Sequence, residues 1–163
     1  MRDYNKILFI SSEFPPGPGG IGNHAWNLAR NLNSIVPVDV LTISDYVSIR
    51  ESESFDQKEK FNIYRFKRFS ISIITYIHRI FYVINYVRKK QYSHCILSGF
   101  FSLLMCPIIH LINKKIIKIG VLHGSELIQS KFLVRFIIIK SLRCLDKIIS
   151  VSHYTQSLIP IKT

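Results

Sequence analysis

The stretch from Ile7 to Leu32, ILFISSEFPPGPGGIGNHAWNLARNL, constrains the fold more than any other part of the chain. An apolar run ends in a turn too rich in Pro and Gly to be regular, and that turn delivers the chain into a segment with helical spacing. The pattern predicts a strand, a glycine loop and a helix. Gly17, Gly19, Gly20 and Gly22 crowd the start of the helix, so backbone can approach a ligand closely there, and the first N–H groups of a helix are natural partners for an anion. A phosphate or diphosphate is the ligand this arrangement favours. The competing explanation is that the glycines merely permit a sharp turn.

Downstream, Val38 to Ser44 alternates and is rich in β-branched residues, which predicts a second strand returned parallel to the first. Asp45 to Glu59 is polar without an apolar period and reads as a loop, followed by a short strand at Phe61 to Phe66. From Ser70 to Lys90, apolar residues recur at Ile73, Ile74, Ile77, Phe81, Ile84 and Val87, the spacing of an amphipathic helix. Arg65, Lys67 and Arg68 precede this helix, Arg88, Lys89 and Lys90 end it, and Tyr76, Tyr82 and Tyr86 lie along its flanks. Basic ends with aromatic flanks suit an anionic membrane surface and suit a sheet-covering helix equally well.

Cys95 to Gly99 predicts a strand and Phe100 to Ile112 an apolar helix. Ile96 to Ile112 is 17 residues without a formal charge, at the low end of spanning length, and Gly99 and Pro107 break it, so a buried helix is preferred to a membrane span. Ile116 to Leu122 is the next strand and leads into the polar turn His123-Gly124-Ser125-Glu126. A helix over Phe132 to Leu145, a strand over Lys147 to Ser152 and a last short helix or linker complete an α/β order, a doubly wound, mostly parallel Rossmann-like sheet with helices on both faces. Ligands of such sheets bind at the carboxyl ends of the strands.

At 163 residues and 48% hydrophobic composition the chain suits one domain with a real core. Its charge is segregated: residues 1–59 carry 5 basic and 8 acidic side chains, and residues 60–163 carry 17 basic and 2 acidic. Such a field attracts phosphates, anionic lipid headgroups or charged substrates alike. The basic residues are spread over helix ends and strands rather than gathered with stacking aromatics, which argues against nucleic acid. Cys95, Cys106 and Cys144 lie in apolar surroundings without paired spacing and read as reduced core thiols. With no signal-peptide pattern at the N-terminus, the expectation is a cytoplasmic protein, at most peripheral on the inner face of a membrane.

Gly17, Gly19 and Gly22 satisfy G-x-G-x-x-G, but Glu13, Phe14, Pro15 and Pro16 separate the first glycine from the strand, against the dinucleotide pattern, although Asp45 sits where a ribose carboxylate would. An NAD(P)-dependent oxidoreductase domain therefore stays open as an alternative. A non-catalytic membrane-surface or partner-binding module does so as well. No Lys followed by Ser or Thr comes after the glycines, which excludes a nucleotide-hydrolase P-loop. His94 with Cys95 is too short a cluster for a metal, and the turn at His123 lacks a second close His, so no metal is expected.

PPGPGGIGNHAWNLARNL, VLHGSEL and SVSHYTQSLI, in that order, resemble the N-terminal half of a retaining glycosyltransferase of family 4, with its two-domain GT-B architecture. The resemblance spans essentially the whole chain. It implies a nucleotide-sugar donor, a glycan or lipid-linked acceptor, bacterial-type polysaccharide or glycolipid synthesis, and no cofactor. It places Gly19, Gly20, Ile21 and Gly22 at the donor diphosphate, His123 beside the transferred sugar as the catalytic position, and Gly124 and Glu126 in the same turn. Asn23, His24, Ser98, Ser152 and Tyr154 fall on the acceptor side. Where the family often has a polar residue or His after the central strand, Ser98 and Gly99 stand here. The resemblance also implies a second domain that supplies diphosphate-binding basic residues and paired glutamates. The chain stops about where the linker would begin, so the expectation is a truncated chain, a gene fragment or one subunit of a split enzyme, inactive without its partner.

Overall fold

The computed structural model of the protein describes residues 6–43, 47–66, 69–128 and 132–160. Asp45, Lys67 and Arg68 lie outside them. Six strands form one parallel sheet: β1 (Ile7–Ser11), β2 (Val38–Ile43), β3 (Asn62–Phe66), β4 (His94–Ser98), β5 (Ile117–Leu122) and β6 (Lys147–Ser150). Their order is β3-β2-β1-β4-β5-β6. The chain winds outward from β1 in both directions, with the reversal between β1 and β4. This is the doubly wound, Rossmann-like sheet that the sequence predicts.

Alternation along the strands divides the core in two. Leu8 and Ile10 of β1, Leu41 and Ile43 of β2 and Cys95 and Leu97 of β4 pack beneath α3 (Ser72–Lys89), α4 (Phe100–Ile112) and α5 (Phe132–Arg143). Ile7 and Phe9 of β1, Val38 and Val40 of β2 and Ile96 of β4 face the other way, onto Ala25 and Ala29 of α1 (Gly20–Asn33). As the central strand, β1 is buried on both faces and is apolar at four consecutive positions. Each of those side chains contributes about 2 kcal/mol of burial, enough to offset the ordering of its backbone.

One sequence expectation is corrected. Residues 45–59 are not simply a loop, because α2 (Ile49–Asp56) forms within them. Its N-terminus is a capping box, in which the Ser48 hydroxyl accepts from the Glu51 N–H and the Glu51 carboxylate accepts from the Ser48 N–H. Helix α4 runs over Phe100–Ile112, the range predicted, with Pro107 inside it. A sixth helix, α6 (His153–Ser157), follows β6 and is capped by Ser152. None of the helices among the described residues is long and apolar enough to cross a membrane.

At the amino edge of the sheet Asp39 is fully buried and ties four elements together. It accepts from Lys6 Nζ and Asn62 Nδ2, each at 2.8 Å, from Tyr92 Oη at 2.8 Å and from Lys90 Nζ at 3.2 Å. Burial alone would raise its pKa, but these donors outweigh burial and hold the carboxyl below its ordinary value. The Cys95 and Cys106 thiols are buried and free, and burial pushes Cys106 up to about 12, which makes it an inert core thiol.

Candidate functional site

The carboxyl ends of β1, β4, β5 and β6 bring together most of the residues singled out from the sequence. Between β1 and α1, residues 12–19 fold back against the start of the helix. Gly19 precedes α1 with φ 134°, and a Cβ there would lie 2.5 Å from Glu13 Oε2. Gly22 is buried against the Phe14 backbone. Gly20, by contrast, faces open space, with no atom within 4 Å of an added Cβ. The α1 N-terminus has neither a side-chain cap nor an acidic residue in its first turn. The N–H groups ahead of Asn23, whose own N–H reaches Gly19 O, are therefore available to an anion approaching over Gly20.

Facing this loop, Gly99 begins α4 with φ 84°, and its α-carbon presses on Ser12, so that a Cβ would lie 2.8 Å from Ser12 Cβ and Oγ. Ser12 is fixed in turn: its N–H donates to Ser98 O and its hydroxyl accepts from Ser102 N. Neither Ser12 nor Ser102 stood out in the sequence. The pair is held together by register, since β1 and β4 are neighbours only in the folded sheet.

His123 ends β5. Its Nε2 shares a hydrogen bond with Ser98 Oγ at 3.0 Å, and its ring meets that of His24 edge-on, with 5.2 Å between centroids. Glu126, buried, accepts from the His123 N–H at 2.9 Å. Burial, joined by the nearby His24, lowers the His123 pKa below 6.5, and the opposing pull of Glu126 does not reverse this. The imidazole is neutral at pH 7 and offers one donor and one acceptor. Gly124 packs beside Thr155, and Ser152 Oγ accepts from Thr155 N at 3.1 Å, which seats the start of α6 against the turn. Asn23, His24, Ser152 and Tyr154 are exposed at this edge, whereas Ser98 and Glu126 are buried and act on His123. Thr155 is a further contributor that sequence reasoning missed.

The electrostatics of this edge differ from those of the chain as a whole. Residues 11–24, 98–99, 123–128 and 151–157 contain no Lys or Arg. Arg65 reaches Pro15 O, but Asp56 holds it in a bidentate pair. Arg65 and Lys90, among the basic residues that the sequence sets before and at the end of α3, are thus committed to Asp56 and Asp39. Among the described residues no three His, Cys, Asp or Glu side chains gather as metal ligands.

No protein-family model and no curated protein matches the sequence. Solved structures do. The N-terminal domain of trehalose-6-phosphate phosphatase from Candida albicans superposes with a TM-score of 0.60 at 11% identity, over 95% of this chain and 42% of that one. UGT2 of Phytolacca americana, complexed with UDP-2fluoro-glucose and pterostilbene, gives a TM-score of 0.50 at 11% identity, over 78% of this chain and 33% of that one. The fold is Rossmann-like, of the kind that forms half of a GT-B architecture. The chain spans less than half the length of either neighbour.

Proposed function

We propose that the protein is the acceptor-side, N-terminal half of a retaining glycosyltransferase of the family 4 type, moving a sugar from a nucleotide-sugar donor to a glycan or lipid-linked acceptor. The observation that carries this reading is the uncapped α1 N-terminus, open at Gly20, in the same cleft as a neutral His123 fixed by Ser98 and Glu126. A departing diphosphate gathers negative charge, and fixed N–H dipoles at Gly20, Ile21 and Gly22 stabilise it without reorganisation. His123 binds a hydroxyl of the transferred sugar. Gly124 lets the turn carry that ring close to the sheet edge, and Ser98 and Glu126 position the ring. Asn23, His24, Ser152 and Tyr154 line the acceptor side. The nucleotide sugar held by UGT2, a neighbour in fold, agrees with the donor class.

This cleft is one wall. Among the described residues, 11–24, 98–99, 123–128 and 151–157 carry no Lys or Arg, and Glu13 lies beside Gly19, so in this reading a second domain or partner subunit brings positive charge to the diphosphate. The test is ligand-observed NMR with UDP-glucose, GDP-mannose and NAD, using the wild type and Gly20→Leu. The expected result is weak nucleotide-sugar binding, roughly millimolar, that Gly20→Leu abolishes. Preferential binding of NAD, equal binding by Gly20→Leu, or sugar transfer by this chain alone overturns the reading.

A further inference from the structure

Helix α3 turns its apolar row away from the core. Thr75, Arg79, Val83 and Val87 form the buried stripe, whereas Ile73, Ile77 and Phe81, also spaced i to i+4, are 63%, 59% and 72% exposed. Helix α5 repeats the arrangement: Ile138 and Leu142 are buried, while Phe132 and Phe136 are 81% and 51% exposed. Because α3, α4 and α5 each return the chain between parallel strands, their N-terminal halves lie at the carboxyl edge of the sheet, beside the cleft. The outward apolar residues crowd that end.

Charge identifies the occupant. None of α3, α4 and α5 contains an aspartate or glutamate, while Arg88, Lys89, Arg135, Lys140 and Arg143 are exposed on α3 and α5. The two carboxylates of residues 60–163 do not offset them, since Glu126 is buried and Asp146 is paired with Lys118. A second copy of this chain would set like charges against one another. An anionic bilayer satisfies both features, taking the apolar row at the acyl boundary and the basic residues at the headgroups. We infer that the α3 and α5 face docks the protein along an anionic lipid surface, with the carboxyl edge of the sheet beside the membrane. Resting on the proposed transfer reaction, this makes the acceptor lipid-linked.

Flotation with vesicles of phosphatidylcholine alone, and of phosphatidylcholine with phosphatidylglycerol, tests the inference. The chain is expected to float with the anionic vesicles only. Recovery should fall roughly tenfold in Ile77→Glu/Phe81→Glu and in Arg88→Glu/Lys89→Glu, with circular dichroism unchanged because all four positions are exposed. Three results overturn it: equal recovery on both vesicles, no recovery on either, or no change in either folded variant. So does a wild type that is dimeric without lipid and made monomeric by Ile77→Glu/Phe81→Glu, which assigns the face to self-association. Flotation does not depend on sugar-nucleotide binding, so failure here leaves the Gly20→Leu result intact, and the converse holds.

Discussion

Gly20 and Gly99 begin two helices at the same sheet edge, yet they should respond oppositely to an added side chain. At Gly99 the backbone, with φ 84° and ψ 173°, lies in a region open essentially to glycine alone, and the strain of holding another residue there is about 1–3 kcal/mol. An alanine Cβ would also stand 2.8 Å from two atoms of Ser12, whose backbone and hydroxyl are both bonded and cannot easily withdraw. Overpacking of that kind adds about 1–3 kcal/mol, so Gly99→Ala should destabilise by roughly 2–6 kcal/mol in all. For a chain of this size each kcal/mol lowers Tm by about 2–4 °C, so a fall of roughly 4–24 °C is expected. Gly20→Leu meets no atom within 4 Å and adds a better helix former, so its change should stay within about 0.5 kcal/mol. Thermal unfolding followed by circular dichroism at fixed pH and salt measures both. A Gly20→Leu variant as unstable as Gly99→Ala would refute the claim that the space over α1 is open, and with it the case for a ligand there. An unaffected Gly99→Ala would refute the claim that Ser12 and Gly99 are locked together.

Asp39→Asn should lower stability at pH 7 by about 2–3 kcal/mol, measured by urea unfolding, because Lys6 and Lys90 lose a carboxylate partner but are exposed enough to hydrate. The folded pKa of Asp39 lies below its ordinary 3.8, so its contribution is complete above that value and disappears as pH falls through the lower folded pKa. The gap between variant and wild type should therefore close in acid, and a gap independent of pH would count against the charge. For His123 the folded pKa is depressed by burial, so the unfolded state takes up the proton first, and this group's contribution to stability is lost as pH falls through 6.5. NMR titration of the imidazole should give a midpoint below 6.5, and a midpoint above it would refute the neutral-ring assignment.

The sheet was legible because its signals are local. Periodicity located all six strands, and the Pro-Gly turn located the start of α1. Helix α2 escaped because Ser52 is its only buried residue, so it carries no apolar period, although Ser48 and Glu51 at capping-box spacing announced its start. Helix α3 was found, but its orientation was not. The rows through Ile73 and through Val83 both fit helical spacing, and which one packs inward is decided by β3 and α4, elements that meet α3 only in the folded chain. The pairing of Lys90 with Asp39, 51 residues away, was hidden for the same reason.

Charge was the least legible property of the site. The 17 basic residues after position 59 suggest a field that attracts anions without saying which surface carries it. The fold places most of those it describes on helix faces, in the Asp39 and Asp56 networks and beside Asp146, and the Arg65 that reaches the carboxyl edge at Pro15 is held by Asp56. Counting residue types along the chain cannot reveal this, because the arrangement arises from winding: strand ends and helix starts supply the site, while Arg88, Lys89, Lys140 and Arg143 fall in the last turns of α3 and α5, at the opposite edge. A diphosphate at Gly20 would therefore be met by N–H dipoles and, among the described residues 11–24, 98–99, 123–128 and 151–157, by no Lys or Arg, with the Glu13 carboxylate close to the same glycine loop. Dipoles alone bind such a group weakly in contact with water, and they become effective once a facing surface brings cations and excludes solvent. The same winding gathers the outward apolar row and its basic neighbours on the α3 and α5 face, so the two properties that composition blended into one basic half belong to two different surfaces.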